Sequence, residues 1–158
     1  MNVMDLRLIR ATIDDAEQIW NMQRKAFSEL LERYQDFDTN PGNESLEKVK
    51  WRFQFASTYF YLIQADEKIV GAIRVLDRND GKSNKKIAPI FVLPEYWNKG
   101  IAQAAIREAE RMHGSENWEL DTILQEKGNC HLYEKMGYRR TGKTEIVNEK
   151  LTLVFYEK

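Results

Sequence analysis

The chain has 158 residues, 42% of them hydrophobic, with 24 Lys and Arg against 25 Asp and Glu for a formal net charge of −1. That length suits one domain, 1–158, with a single core, and the cancelling charge argues against a nucleic-acid partner. One cysteine excludes an internal disulfide, and beside two histidines it cannot fill a four-ligand zinc site.

No apolar stretch approaches the roughly 20 residues of a membrane span, and residues 1–10 lack the long apolar core of a signal peptide. The expectation is a cytoplasmic protein with no membrane partner and no metal.

Residues Leu6–Arg10 read as a first strand. Thr12 then offers a hydroxyl cap, with Asp14 and Asp15 in the first turn of a helix. Ala16, Ile19, Trp20, Gln23, Ala26, Phe27, Leu30, Leu31 and Tyr34 form one helical stripe, interrupted only by Gln23. Residues 35–44 are rich in turn formers and predict a loop. Ser45 can cap a second helix carrying Leu46, Val49, Phe53 and Ala56.

From residue 59 the period changes. Residues 59–65 and 69–76 are aromatic or β-branched runs joined by a short hairpin connection. A polar loop at 79–84 leads to a strand at 87–93, which Pro94 ends. A helix follows over about 98–113, with Gly114 as its stop. Trp118–Ile123 is another strand, 128–136 a short helix stopped by Gly137, and 138–146 with Leu151–Glu157 a closing antiparallel pair. The order is β-α-α-β-β-β-α-β-α-β-β, a mixed α/β fold with a mostly antiparallel sheet flanked by helices.

The most informative stretch is Ile90-Phe91-Val92-Leu93-Pro94-Glu95-Tyr96-Trp97-Asn98-Lys99-Gly100-Ile101-Ala102-Gln103. A strand passes through a tight turn into a helix whose first residues are small or flexible. Such a helix tip exposes unpaired N–H groups and the positive end of the dipole, so it can hold a phosphate. Between Lys82 and Gly100, four lysines against Glu95 give a local net charge of +3. A plain turn with a solvated lysine face accounts for the same residues. Neither Gly-x-x-x-x-Gly-Lys-Ser/Thr nor Gly-x-Gly-x-x-Gly after the first strand is present, which argues against a nucleotide triphosphatase or a Rossmann dehydrogenase.

A second stretch runs Asn129-Cys130-His131-Leu132-Tyr133-Glu134-Lys135-Met136-Gly137-Tyr138, where Asn129 and Tyr133 share a helix face. Read alone, a tyrosine such as Tyr133 is more often a half-buried packing residue. Cys130 and His131 are neighbours on a helix and point about 100° apart, which opposes a nucleophile–base pair. Cys130 reads as a core-facing or half-buried thiol, and His113 as a partner of its helix's C-terminal dipole.

Together the two stretches resemble the Gcn5-related N-acetyltransferases. The resemblance spans nearly the whole chain, and the element order read above is also that family's. The family's first motif has Gln or Arg, two residues, Gly, one residue, then Gly or Ala; here Trp97, Gly100 and Ala102 stand there, with Trp97 a departure. The resemblance implies acetyl-coenzyme A as co-substrate. Its diphosphate would lie on the N–H groups of Asn98, Lys99, Gly100, Ile101, Ala102 and Gln103. Its pantetheine arm would run along Ile90, Phe91 and Val92, where the sheet splays, with the N–H groups of that strand facing the thioester oxygen.

The resemblance also implies Tyr133 as the general acid for the leaving thiolate. Asp121 falls where the family sometimes carries a glutamate base, and Glu126 where it often carries Asn. Asn129 would supply that amide contact, or Glu126 would act as base through water. The implied reaction is direct attack of a primary amine on the thioester in a ternary complex. A non-catalytic acyl-coenzyme A binding or sensing module is the alternative.

The acceptor would be a small-molecule or peptide amine. Six acids against three bases between Ser28 and Lys50 would form either an acidic rim for a cationic acceptor or a solvated helix face. The terminal strands offer a sheet edge on which a second copy could pair as a homodimer.

Overall fold

A computed structural model describes residues 4–158. Residues 1–3, the start of the segment judged to lack a signal-like core, lie outside the described residues. Seven strands form one sheet in the order β1-β2-β3-β4-β5-β7-β6: β1 Leu6–Arg10, β2 Thr58–Ala65, β3 Lys68–Leu76, β4 Lys85–Val92, β5 Trp118–Ile123, β6 Arg139–Asn148 and β7 Leu151–Glu157. All neighbours run antiparallel except β4 and β5. Four helices cover the sheet: α1 Ala16–Tyr34, α2 Leu46–Arg52, α3 Ile101–His113 and α4 Lys127–Lys135. The mixed α/β reading and its element order therefore hold.

Strand alternation divides the core. Phe60 and Leu62 of β2, Ala72 of β3 and Phe91 of β4 face α1 and α2, where Ala16, Ile19 and Val49 are buried. Tyr61, Ile63, Ile73 and Val75 face the other way, onto Ile101, Ala105, Ile106 and Ala109 of α3.

Local chemistry sets the ends. Asp15 accepts from the N–H of Thr12 at 2.9 Å, Ser45 accepts from the N–H of Lys48 at 3.1 Å, and the N–H of Gly114 closes on Glu110 at 2.8 Å. Gln23, the break in the α1 stripe, is fully buried, and its amide donates to the carbonyl of Pro41 and to Glu44 at 2.7 and 2.8 Å. It ties the 35–44 loop to α1, so a polar residue holds a core position because the loop backbone needs a donor there.

Several boundaries move. Strand β4 starts two residues before the expected 87, and a 3-10 turn at Pro94–Tyr96 delays α3 to Ile101 rather than 98. Helix α2 ends at Arg52, before Phe53 and Ala56. His113 is not a free dipole partner: its Nδ1 lies 2.7 Å from Asp77 and its Nε2 2.7 Å from the hydroxyl of Tyr61.

Candidate active site

Strands β4 and β5 pair only at Lys85–Trp118 and Lys86–Glu119, and beyond that point they part. The cause lies on the other side of β4. Ile73 pairs with Ile90 and Val75 with Ile87, so Ala88 and Pro89 together oppose the single residue Arg74. An extra residue on one strand bends it and increases its twist, and Pro89 has no N–H for a ladder. The bulge swings β4 away from β5 two residues after their last pair, at Lys86. A proline inside an apolar run is a sequence signal for such a bulge.

The departure leaves one edge of β4 bare. Leu93 donates to Val70 at 2.8 Å, so the Ala72–Phe91 pair carries the ladder bonds to β3. The same alternation turns the N–H groups of Ile90 and Val92 toward the vacated edge. Phe91 differs from the expectation: its backbone is spent on β3, and its ring packs edge-on against Phe27 at 5.8 Å.

At the end of β4 the indole of Trp97 donates to the carbonyl of Val92 at 2.7 Å. Gly100 follows with φ +77° as the cap residue of α3, and a Cβ placed on it would meet nothing within 4 Å. No side chain caps this helix and no acid stands in its first turn, so the N–H groups of Ile101, Ala102 and Gln103 are free of side-chain acceptors. An anionic diphosphate fits such an open tip. Of the four lysines counted in this stretch, Lys82 sits in the 79–84 loop with its N–H on Asp80, Lys85 bonds the carbonyl of Glu116 at 2.8 Å and Lys86 faces β5, leaving Lys99 beside the tip with Asn98.

A cleft of about 320 Å³ occupies the gap between the parted strands, and Asp121, Asn129, Tyr133 and Ile90 all line it. Tyr133 is half-buried on α4, and its hydroxyl takes part in none of the hydrogen bonds among the described residues. Burial, with the charge of Asp121 and then Cys130 behind it, pushes this phenol up to about 12. Asp121 stands on β5 with its carboxylate 3.4 Å from Lys86 Nζ. Cys130 is buried, its thiol turned to the carbonyls of Ile123 and Leu124 at 3.7 and 3.9 Å.

Glu126 does not join them. Its carboxylate accepts from Arg33 at 2.8 Å and from the hydroxyl of Tyr34, tying α1 to the loop before α4. This contact argues against Glu126 as a base acting through water.

The acidic run divides as well. Glu29 pairs with Arg33, while Asp36 and Glu44 line the cleft. Glu44 is nearly buried and is held by Arg52, by Gln23 and by Lys48 at 3.5 Å. Arg74, which sequence reasoning passed over, also lines the cleft. A lone charge in the apolar run Ile69–Val75 was the available signal.

No described helix is long and apolar enough to cross a membrane, and no group of three or more potential metal ligands occurs among the described residues.

Known proteins share this fold. Human N-acetyltransferase 8 is 24% identical over 132 residues, 80% of this chain and 56% of its own length. The chain thus spans about half the length of its curated relatives. The spermidine N-acetyltransferase of Vibrio cholerae, solved with CoA and spermine, superposes with a TM-score of 0.75 at 17% identity, covering 96% of this chain and 93% of that one. The microcin C7 self-immunity acetyltransferase MccE, solved with acetyl-CoA and AMP, gives 0.72 at 16%, covering 97% and 91%. A model of the acetyltransferase (GNAT) family matches residues 16–138, the span from the start of α1 to the end of the Tyr133 motif. The chain belongs to the GNAT acetyltransferase family.

Proposed function

We propose that this chain transfers an acetyl group from acetyl-CoA to a primary amine by direct attack in a ternary complex. The observation that carries the reading is continuity: an uncapped helix tip at Gly100, a bare β4 edge and the Tyr133 cleft follow one another along a single strand. The likeness to proteins solved with CoA or acetyl-CoA supports the same donor.

In this scheme the N–H groups of Ile101, Ala102 and Gln103 bind the diphosphate, and Lys99 adds a positive charge nearby. The bare N–H groups of Ile90 and Val92 take the pantetheine amides and face the developing negative charge on the carbonyl oxygen. Holding amine and thioester side by side supplies most of the rate, up to about 7–11 kcal/mol. The thioester contributes a leaving group whose thiol has a pKa of about 8.5. Tyr133 keeps its proton throughout the neutral range and offers it to the departing sulfur. Asp121 receives the proton that the attacking nitrogen loses, after exchanging its contact with Lys86.

Release of free thiol on mixing acetyl-CoA with a panel of primary amines tests the proposal. CoA-induced thermal stabilisation without thiol release would make the chain an acyl-CoA binding or sensing module instead. Neither signal at millimolar ligand would remove the reading altogether.

A further inference from the structure

The cleft contains a cation that the transfer chemistry does not use. Arg74 reaches from β3 across the bulge, and its Nε donates to the carbonyl of Ala88. That is its one hydrogen bond among the described residues, and it makes no salt bridge there. A guanidinium carries five donors in a planar fork. The remaining four belong to the two Nη groups, which have no hydrogen-bond partner among the described residues and are not sealed from solvent, and Arg74 lines the cleft.

Every carboxylate around it is engaged elsewhere. Glu44 is held by Arg52, Gln23 and Lys48. Asp36 accepts from the N–H of Thr39 at 3.0 Å and from its hydroxyl. Asp121 faces Lys86. Burial first and the neighbouring Arg52 second lower the Arg74 pKa to about 10, against a smaller opposing pull from Glu44, whose carboxylate Arg52 already holds. A partly buried charge left in that state is costly, and a planar fork with two free arms matches a carboxylate. The other walls, Phe27, Leu30, Leu120 and Leu151, are apolar.

We propose that the acceptor is an amino carboxylate with an apolar body, its carboxylate docked on Arg74 and its amine directed to the splayed strands beside Tyr133. The inference rests on the transferase reading and narrows its acceptor class. It replaces the cationic acceptor that the acidic run between Ser28 and Lys50 suggests, because only two of those six acids reach the cleft and both are already satisfied.

The test uses matched amines: phenylalanine against phenethylamine, leucine against isopentylamine, and 6-aminohexanoate against hexylamine. At least one carboxylated member is expected to exceed its partner in kcat/KM by on the order of 10- to 100-fold, the range of a charge-assisted hydrogen-bonded pair. In Arg74→Gln that ratio falls toward one through a higher KM, while CoA still stabilises the protein against heat. Equal or better use of the carboxylate-free amines would overturn the inference and leave the transferase standing. Loss of CoA stabilisation in Arg74→Gln would also overturn it, since the anion would then belong to CoA. If no amine is acetylated, calorimetry of N-acetylphenylalanine, N-acetylleucine and 6-acetamidohexanoate on CoA-loaded protein decides: heat that Arg74→Gln abolishes supports the site without the reaction, and no heat with the wild type ends the proposal.

Discussion

The indole of Trp97 hydrogen-bonds the carbonyl of Val92 across five residues, and so fastens the turn before α3 to the last residue of β4. The position is the one at which the chain departs from the family motif. An indole is a donor only, so Trp97 secures the turn from the strand side and leaves the anion to backbone N–H groups.

Trp97→Phe keeps the ring bulk and removes the donor. Loss of one hydrogen bond costs about 0.5–1.5 kcal/mol, and the expected result is a threefold to tenfold weaker Kd for CoA. Titration calorimetry reads this directly. An unchanged Kd would mean the turn holds its shape without the indole.

Two glycines should fail for different reasons. At Gly100 the obstacle is the backbone, since φ is +77° and no atom lies within 4 Å of an added Cβ. Gly100→Ala then costs about 1–2 kcal/mol and weakens CoA binding in a protein that still folds. At Gly71 the obstacle is collision, because an added Cβ falls 2.1 Å from the carbonyl oxygen of Phe91. Gly71→Ala must displace β4 itself, and a loss of about 3 kcal/mol or more is expected. Thermal melts with and without CoA separate the two.

Tyr133→Phe removes a hydroxyl that no described group depends on, so the fold should be unaffected. Turnover is expected to fall on the order of 10²-fold or more, the usual contribution of a positioned acid, with CoA affinity little changed. Because the phenol sits near 12, no loss of wild-type kcat from its ionisation is expected below about pH 11. A wild-type rate matched by Tyr133→Phe would take this residue out of the chemistry.

Alkaline stability follows from the same burial. Tyr133 is raised to about 12, and Tyr138 and Tyr156 are raised by burial first, then by Glu110 and Glu134 respectively. The folded chain keeps phenolic protons that the unfolded chain gives up near pH 10. Stability from these groups is therefore fully present below pH 10 and declines as pH rises from about 10 toward 12, at up to 1.36 kcal/mol per pH unit for each tyrosine, about. Melting temperatures across that window check it, and Tyr133→Phe should shallow the decline.

The order of elements was legible in the chain because it rests on local rules. The α1 stripe, the Ser45 cap, the Gly114 and Gly137 stops and the switch to period two near residue 59 each involve residues a few positions apart. So does the Gly100 turn, whose left-handed φ needs glycine whatever surrounds it. Tyr133 and Asn129 share a helix face for the same reason, and both reach the cleft.

What each charge does was decided by the fold. Glu126 meets Arg33 across a separation of 93 residues, and Asp77 meets His113 across 36. Lys86 finds Asp121 only because β4 and β5 lie side by side before they part. A side chain's ion partner depends on which strands become neighbours, and periodicity carries no record of that. Arg74 is the clearest case: in the chain it is one charge in an apolar strand, and in the fold it stands opposite the bulge at Ala88 and Pro89, bonds the carbonyl of Ala88 and lines the cleft.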